Sequence, residues 1–201
     1  MQILETIRFE QGEFSNIIFH QNRMNYSRQI LFNCKNDINL ISKLQNLSNK
    51  ISDSKLYKCR IIYKSEVKKI EFIPYNIPEI KSLKLVPCDE IDYNHKYLDR
   101  EQINNLLANK GEADDIIIVK NGLITDSSMA NLLFYNGEQW LSPTFPLLKG
   151  TQRAKLLEQE KIQVADIRPN DLHNFQKVRL VNAMIRFEDE VDVLTENIKT
   201  Q

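Results

Sequence analysis

The chain has 201 residues, with 27 basic and 27 acidic side chains and no net charge at neutral pH. That length allows one large domain or two small ones. The balanced charge, with no basic stripe interleaved with aromatics, argues against a nucleic-acid partner. No apolar run is long enough to span a bilayer, and the N-terminal MQILETIRFEQGE carries acids where a signal peptide has a cationic start, so a cytoplasmic protein with no membrane partner is expected. The three cysteines, Cys34, Cys59 and Cys88, are odd in number and scattered, with no CxxC and no histidine at ligand spacing. They read as reduced thiols, with no metal site.

In chain order, residues 2–9 alternate as a strand, and after a turn at Gln11-Gly12 a second strand is predicted over Phe14–Phe19. His20–Phe32 has a helical pattern with Met24, Ile30 and Leu31 available for a core face. Ile38–Ile51 is a clearer amphipathic helix, with Asp37 as a plausible cap. Leu56–Tyr63, Val67–Pro74 and Ile80–Val86 read as strands. Residues 1–86 thus predict a small α+β unit of sequential antiparallel strands. Pro87–Asp92 reads as a boundary, giving a larger domain over 87–201.

The second half opens with a polar patch, Asp92 to Arg100, and a helix over Arg100–Asn109. A buried hairpin follows. Ile116–Val119 is apolar and β-branched, Asn121-Gly122 is a strong two-residue turn signal, and Leu123-Ile124 begins the return strand. That strand breaks into Thr125-Asp126-Ser127-Ser128-Met129-Ala130-Asn131 before Leu132-Leu133-Phe134 resumes. Buried polar groups are costly unless partnered, so the break is either a surface loop or a site held on a rigid scaffold. Further on come a strand at 138–141, a helix over Ala154–Glu160 after Lys149-Gly150-Thr151-Gln152-Arg153, a strand at 163–167, a short helix at 169–175, and an apolar strand at 177–184 interrupted by Asn182.

Several residues could carry chemistry. Lys96 lies among His95, Tyr93, Tyr97 and Asp99. It is a surface lysine, or else an amine whose pKa its aromatic neighbours lower, as covalent catalysis by lysine requires. Arg23 sits on a helix face. Gly150-Thr151-Gln152 opens a helix and could cradle a phosphate through backbone N–H groups. Asn182-Ala183 ends a strand, as a bulge or as a second set of amides.

Five segments taken together resemble the class IV aminotransferases, the fold-type IV pyridoxal-phosphate enzymes. They are LETIR at 4–8, HQNRM at 20–24, NHKYLDR at 94–100, LITDSSMANLLF at 123–134 and LLKGTQRAKLLE at 147–158. The resemblance implies an α+β, two-domain, D-amino acid aminotransferase-like fold. A small antiparallel domain would precede a larger barrel-like β domain with helices that carries the cofactor lysine. It implies pyridoxal 5'-phosphate as cofactor. Lys96 matches the lysine that binds it covalently and then moves protons at the substrate carbon. Arg23 matches the phosphate-binding arginine, Thr151 and Gln152 the phosphate turn, and Asn182 and Ala183 a second phosphate-side loop. Asp126 falls where most members carry a glutamate that pairs with the pyridine nitrogen, which keeps the ring an electron sink. Members usually carry an additional segment before the LETIR strand, so a trimmed small domain is expected.

Within the family, branched-chain transamination, D-amino acid transamination and the aminodeoxychorismate lyase reaction of folate synthesis compete. Thr6, Asn182-Ala183-Met184 and Lys96-Tyr97-Leu98-Asp99-Arg100 resemble the lyases, in which Thr6 would lie near the substrate. A non-catalytic relative acting as a binding protein is the alternative from a different class. Arg60 and Arg8, with Arg186 behind them, are candidate substrate-carboxylate cations, or else form surface or dimer ion pairs. Tyr63 and Tyr93 could orient the substrate. The resemblance also implies a homodimer, each site borrowing residues from the second subunit.

Overall fold

A computed structural model describes residues 1–48 and 54–200. They form two compact units. The first comprises Met1–Ile77 together with His95–Asp99, and the second comprises Pro78–Asn94 and the chain from Arg100 onward.

In the first unit a four-stranded sheet is ordered β2-β1-β3-β4, with β1 Ile3–Glu10, β2 Glu13–Phe14, β3 Tyr57–Tyr63 and β4 Val67–Pro74. All its pairings are antiparallel. Helices α1 (Ile17–Phe32) and α2 (Leu40–Ser48) follow β2. Ile3, Ile7 and Phe9 of β1 and Cys59, Ile61 and Tyr63 of β3 form one buried cluster with Met24, Leu40 and Leu44.

The predicted strand at 14–19 is replaced by helix. Asn16 adopts a left-handed conformation (φ 55°) that turns the chain, and α1 starts at Ile17. Helix α1 buries His20, Met24, Ser27 and Arg28, at spacings of three and four. Ile30 therefore falls on the opposite side, 57 % exposed, and not in the core. Asn33 closes the helix in the left-handed region, its N–H donating to the Gln29 carbonyl while Cys34 N–H donates to the Arg28 carbonyl. For α2 the cap is Asn39, whose Oδ1 accepts the Ser42 N–H. Asp37 instead accepts from Arg28 Nη2 at 2.8 Å. Ile51, the last residue of the predicted helix, lies outside the described residues.

The second unit holds a nine-stranded sheet. Strand β5 (Leu83–Pro87) pairs in parallel with β6 (Asp115–Lys120), and the chain crosses between them through α3 (Glu101–Leu107). This parallel pairing moves the 80–86 segment out of the first unit, so the division falls after Ile77 and not at residue 87. β6 and β7 (Leu123–Ser127) form the predicted hairpin, with φ of 52° at Asn121 and 74° at Gly122, the mirror-image turn that Asn-Gly favours. β8 (Asn131–Tyr135), β9 (Trp140–Pro143), helix α4 (Thr151–Glu158) and β10 (Gln163–Ala165) follow. β11 (Lys177–Val181) ends before Asn182 and pairs with β8 and β12 (Asp192–Leu194), while β13 (Ile198–Lys199) flanks β5. Among the described residues, no helix is long and apolar enough to cross a membrane.

Candidate functional site

Strand alternation places Ile3, Glu5, Ile7 and Phe9 on the helix-facing side of β1, opposite Tyr63, Ile61, Cys59 and Tyr57. Glu5 is the exception in this apolar row, and it is fully buried. A lone carboxylate there would be heavily penalised. Helix α1 supplies the compensation from one face. Arg23 donates from Nε to Oε1 at 3.0 Å and from Nη2 to Oε2 at 2.6 Å, and His20 Nδ1 lies 2.6 Å from Oε2. Burial pushes the Glu5 pKa up, but the Arg23 charge and the His20 hydrogen bond outweigh it and bring the value down to about 2. Burial, aided by the charges of Arg23 and Lys96, lowers the pKa of His20 against the opposing pull of Glu5. His20 is therefore neutral at pH 7, with Nδ1–H donating to Glu5.

Lys96 belongs to this first unit, not to the larger domain. Its segment runs antiparallel along the start of β1. Leu4 N–H donates to the Lys96 carbonyl and Leu98 N–H to the Gln2 carbonyl, both at 2.9 Å, with Ile3 opposite Tyr97. The register sets Lys96 across from Leu4, so it shares a sheet face with Leu4, Thr6 and Arg8 and with their β3 partners Ile62, Arg60 and Lys58. Next to it, His95 is buried, 3.2 Å from Ser27 Oγ and stacked on Tyr26. That contact anchors the lysine's backbone.

By register Lys96, Thr6, Arg8 and Arg60 take one face of the sheet and Tyr63 and the Glu5 partner Arg23 the other, but Lys96 stands at the end of the sheet, where its charge still acts on His20 beside Glu5. Arg8 is paired with Glu10 at 2.9 Å and Arg60 with Glu71 at 2.7 Å, so both candidate substrate cations carry ion pairs within their own sheet. Tyr63 is fully buried, its hydroxyl has no hydrogen-bond partner among the described residues, and burial pushes its pKa up.

In the second unit the polar break in the hairpin is not a surface loop. Thr125, Asp126, Ser127, Ser128 and Asn131 are all buried. The register shift between β6 and β7 inserts one extra residue between Ile124 and Ser127, a bulge that re-aims this stretch. Most of its polar groups have partners. Thr125 Oγ1 donates to the Ile118 carbonyl, and Ser127 Oγ accepts the N–H groups of Met129 and Ala130. Arg100 donates to the Ser128 carbonyl at 2.7 Å and Asn182 Nδ2 to the Met129 carbonyl at 3.1 Å. Asn182 Oδ1 accepts from Met184 and Ile185 N–H, which makes it the pivot of a tight turn that contains Ala183.

Asp126 accepts from Asn131 Nδ2 at 2.7 Å on one oxygen and from Leu148 N–H at 2.9 Å on the other. Burial nevertheless raises its pKa to about 6 against those bonds. Thr151 and Gln152, both buried, form the first turn of α4, where backbone N–H groups point ahead of the helix. Arg153 reaches back to Ser142 Oγ and the Pro143 carbonyl, each at 2.8 Å. Tyr93 is buried in this unit and Arg186 pairs with Asp189.

Because the Asp126 pKa is raised from 3.8, folding favours its neutral form. The cost, about 3 kcal/mol, is absent below pH 4 and complete above about pH 6. In the unliganded protein the Asp126 carboxyl carbon is expected to titrate near pH 6 by 13C NMR. A midpoint near 4 would contradict this environment.

Sequence comparison supplies the context. The model of the class IV amino-transferase family matches residues 89–187. An uncharacterised protein of Haemophilus influenzae is 39 % identical over 192 residues, covering 90 % of this chain and 97 % of that protein. The crystal structure of a protein from Haemophilus somnus, provisionally named a 4-amino-4-deoxychorismate lyase, is 38 % identical, covers 92 % of this chain and 97 % of its own, and superposes with a TM-score of 0.85. The chain belongs to the class IV aminotransferase family. A hypothetical aminotransferase from Mycobacterium tuberculosis, solved in a PLP-bound form, shares the fold at 18 % identity and a TM-score of 0.73, covering 92 % of this chain and 78 % of its own.

In this family member, sequence reasoning missed Glu5, His20, Arg100 and Asn131. Glu5 was detectable as the one acid in the apolar phase of β1, and His20 by its three-residue spacing from Arg23. Nothing local marked Asn131, whose partners lie on other segments.

Proposed function

We propose that the chain binds pyridoxal 5'-phosphate and converts 4-amino-4-deoxychorismate to 4-aminobenzoate and pyruvate, as a homodimer. The observation that carries the lyase reading is the register that sets Lys96 and Thr6 on one face of the first sheet. The kinship with the provisionally named Haemophilus somnus lyase and the Asn182-Ala183-Met184 turn favour it over transamination.

The residues present suit the cofactor's chemical groups. The Arg23 guanidinium has five N–H groups, and Glu5 takes two of them while holding its plane, an arrangement suited to a phosphate. Within the second unit, the first turn of α4, Thr151-Gln152, offers backbone amides suited to a phosphate, with Asn182 and Ala183 as the second phosphate-side turn. Asp126, buried and poised near pH 6, would ionise opposite a protonated ring nitrogen. The cofactor, when bound, supplies an electron sink for charge developing on the substrate.

Lys96 then serves as the base that removes a proton from the substrate ring carbon. The bond from the ring to the pyruvyl oxygen breaks, and the leaving enol collects a proton to become pyruvate as the ring aromatises. Thr6 hydrogen-bonds the substrate beside Lys96. Arg60 and Arg8 stand as the substrate contacts of the first unit, with Arg60 exchanging Glu71 for a substrate carboxylate, and Tyr93 is the candidate contact of the second unit, whereas Tyr63, buried on the other face of the sheet, is left to the core. Helix α1 leaves Ile18, Tyr26 and Ile30 exposed at multiples of four residues, an apolar strip that a second copy would cover.

The test is to supply 4-amino-4-deoxychorismate without any keto acid. Equal yields of 4-aminobenzoate and pyruvate are expected. Product formation that depends strictly on 2-oxoglutarate would overturn the lyase reading in favour of a branched-chain or D-amino acid transaminase. Failure to take up pyridoxal phosphate at all would favour a binding protein.

A further inference from the structure

Asn131 opens β8 directly opposite Asp126 in the β7–β8 register. Its Nδ2 donates both to Asp126 Oδ1 at 2.7 Å and to the Leu148 carbonyl at 2.9 Å. Leu148 N–H in turn donates to Asp126 Oδ2 at 2.9 Å. The three bonds close a ring through β7, β8 and the segment that leads into α4. The other end of the same amide abuts the start of that helix, where a Cβ built on Gly150 would lie 2.0 Å from Asn131 Oδ1. Gly150 has φ −68° and ψ 145°, a conformation open to any residue. Glycine is therefore required there for space, and Asn131 is what occupies the space.

We infer that Asn131 is a positioning residue that holds the Asp126 carboxylate and the 148–152 turn in one frame, so that the ring-nitrogen contact and the phosphate contact of the cofactor are fixed relative to each other. This rests on the cofactor reading above. It adds a reason for the aspartate. The shorter carboxylate is held from both oxygens, and its orientation is set by a neighbour on the adjacent strand, not by its own rotamer alone.

The experiment compares the wild type with Asn131→Ala, Gly150→Ala and the double variant. Two quantities are read: the dissociation constant of pyridoxal phosphate, and the titration midpoint of the Asp126 carboxyl in the unliganded protein. Each single variant is expected to weaken pyridoxal-phosphate binding roughly tenfold to a hundredfold. Adding Gly150→Ala to Asn131→Ala should cost less than about twofold more, because the clash is gone once the amide is gone. The Asp126 midpoint should rise in Asn131→Ala, since a donor to its charged form has been lost. Additive losses from the two single variants, or unchanged affinity and midpoint in Asn131→Ala, would overturn the inference. If Asn131→Ala does not fold, Asn131→Ser takes its place with the same expectations. If the wild type takes up no pyridoxal phosphate, the cofactor reading fails, and the Asp126 midpoint in the unliganded variants still decides whether Asn131 holds that carboxylate.

Discussion

Lys96→Ala is expected to abolish the visible absorption band of wild-type chain loaded with pyridoxal phosphate and to lower turnover on the order of 10²–10⁴-fold, the range for removing a positioned proton-transfer group. The effect should be chemical, not structural. Lys96 is held through its backbone carbonyl by Leu4 N–H, and the flanking His95 and Tyr97 pack through their own rings. None of these contacts needs the lysine side chain. Far-UV circular dichroism and the thermal midpoint should therefore stay near wild type while the band disappears. Lys96→Arg keeps the positive charge that acts on His20 but offers a guanidinium, which does not deprotonate, and it should fail just as fully. A visible band that survives in either variant would remove Lys96 from the role assigned to it.

Glu5→Ala should be the most destabilising single substitution at the site, costing about 3–5 kcal/mol, as when one partner of a buried ion pair is removed. The guanidinium of Arg23 would lose two charge-assisted bonds and His20 its acceptor, both on the buried side of β1. The pH dependence gives a sharper signature. The Glu5 pKa is lowered from 4.5 to about 2, so its contribution, about 3 kcal/mol, is complete above pH 4.5 and is lost as the pH falls through 2. The thermal midpoint of the wild type should fall steeply over that window, whereas Glu5→Gln, already uncharged, should fall less, by the share that the other paired carboxylates such as Asp192 contribute. Asp126 acts with the opposite sign and between pH 4 and 6. A wild-type profile that is flat below pH 4.5 would show that Glu5 is not held as an anion. Loss of the clamp should also weaken pyridoxal-phosphate binding, because Arg23 would keep its charge but not its plane.

Elements whose cause is local matched their prediction closely. The Asn121-Gly122 turn, the strands on either side of it and the helix after residue 100 all arise from periodicity and turn residues within a few positions, and the helix predicted over Ala154–Glu160 is present as Thr151–Glu158, one turn earlier at its start. Elements decided by distant partners did not. Ile80–Val86 was apolar enough for a strand, but its parallel pairing with β6 depends on a partner some thirty residues away, and that pairing moved the domain division. Phe14–Phe19 reads as a strand in sequence because its apolar residues are dense. The left-handed turn at Asn16 and the fit of α1 onto β1 made it helix.

The sequence by itself determined the family motifs and the residue types at each candidate position, since a lysine, an arginine or an aspartate is chosen for its chemistry wherever the chain carries it. It also determined that the break at 125–131 was anomalous, because a run of polar residues between apolar strands is visible without coordinates. Only the tertiary structure decided what the break was. Burial turned Asp126 from a surface acid into a carboxylate poised near pH 6. The bulge in β7 and the amide of Asn131 aimed it, and the same amide forced glycine at position 150. On the first sheet, strand register assigned Lys96 and Thr6 to one face and Glu5 with Arg23 to the other. Those outcomes depend on which backbone groups meet across strands far apart in sequence, and no local pattern encodes that meeting.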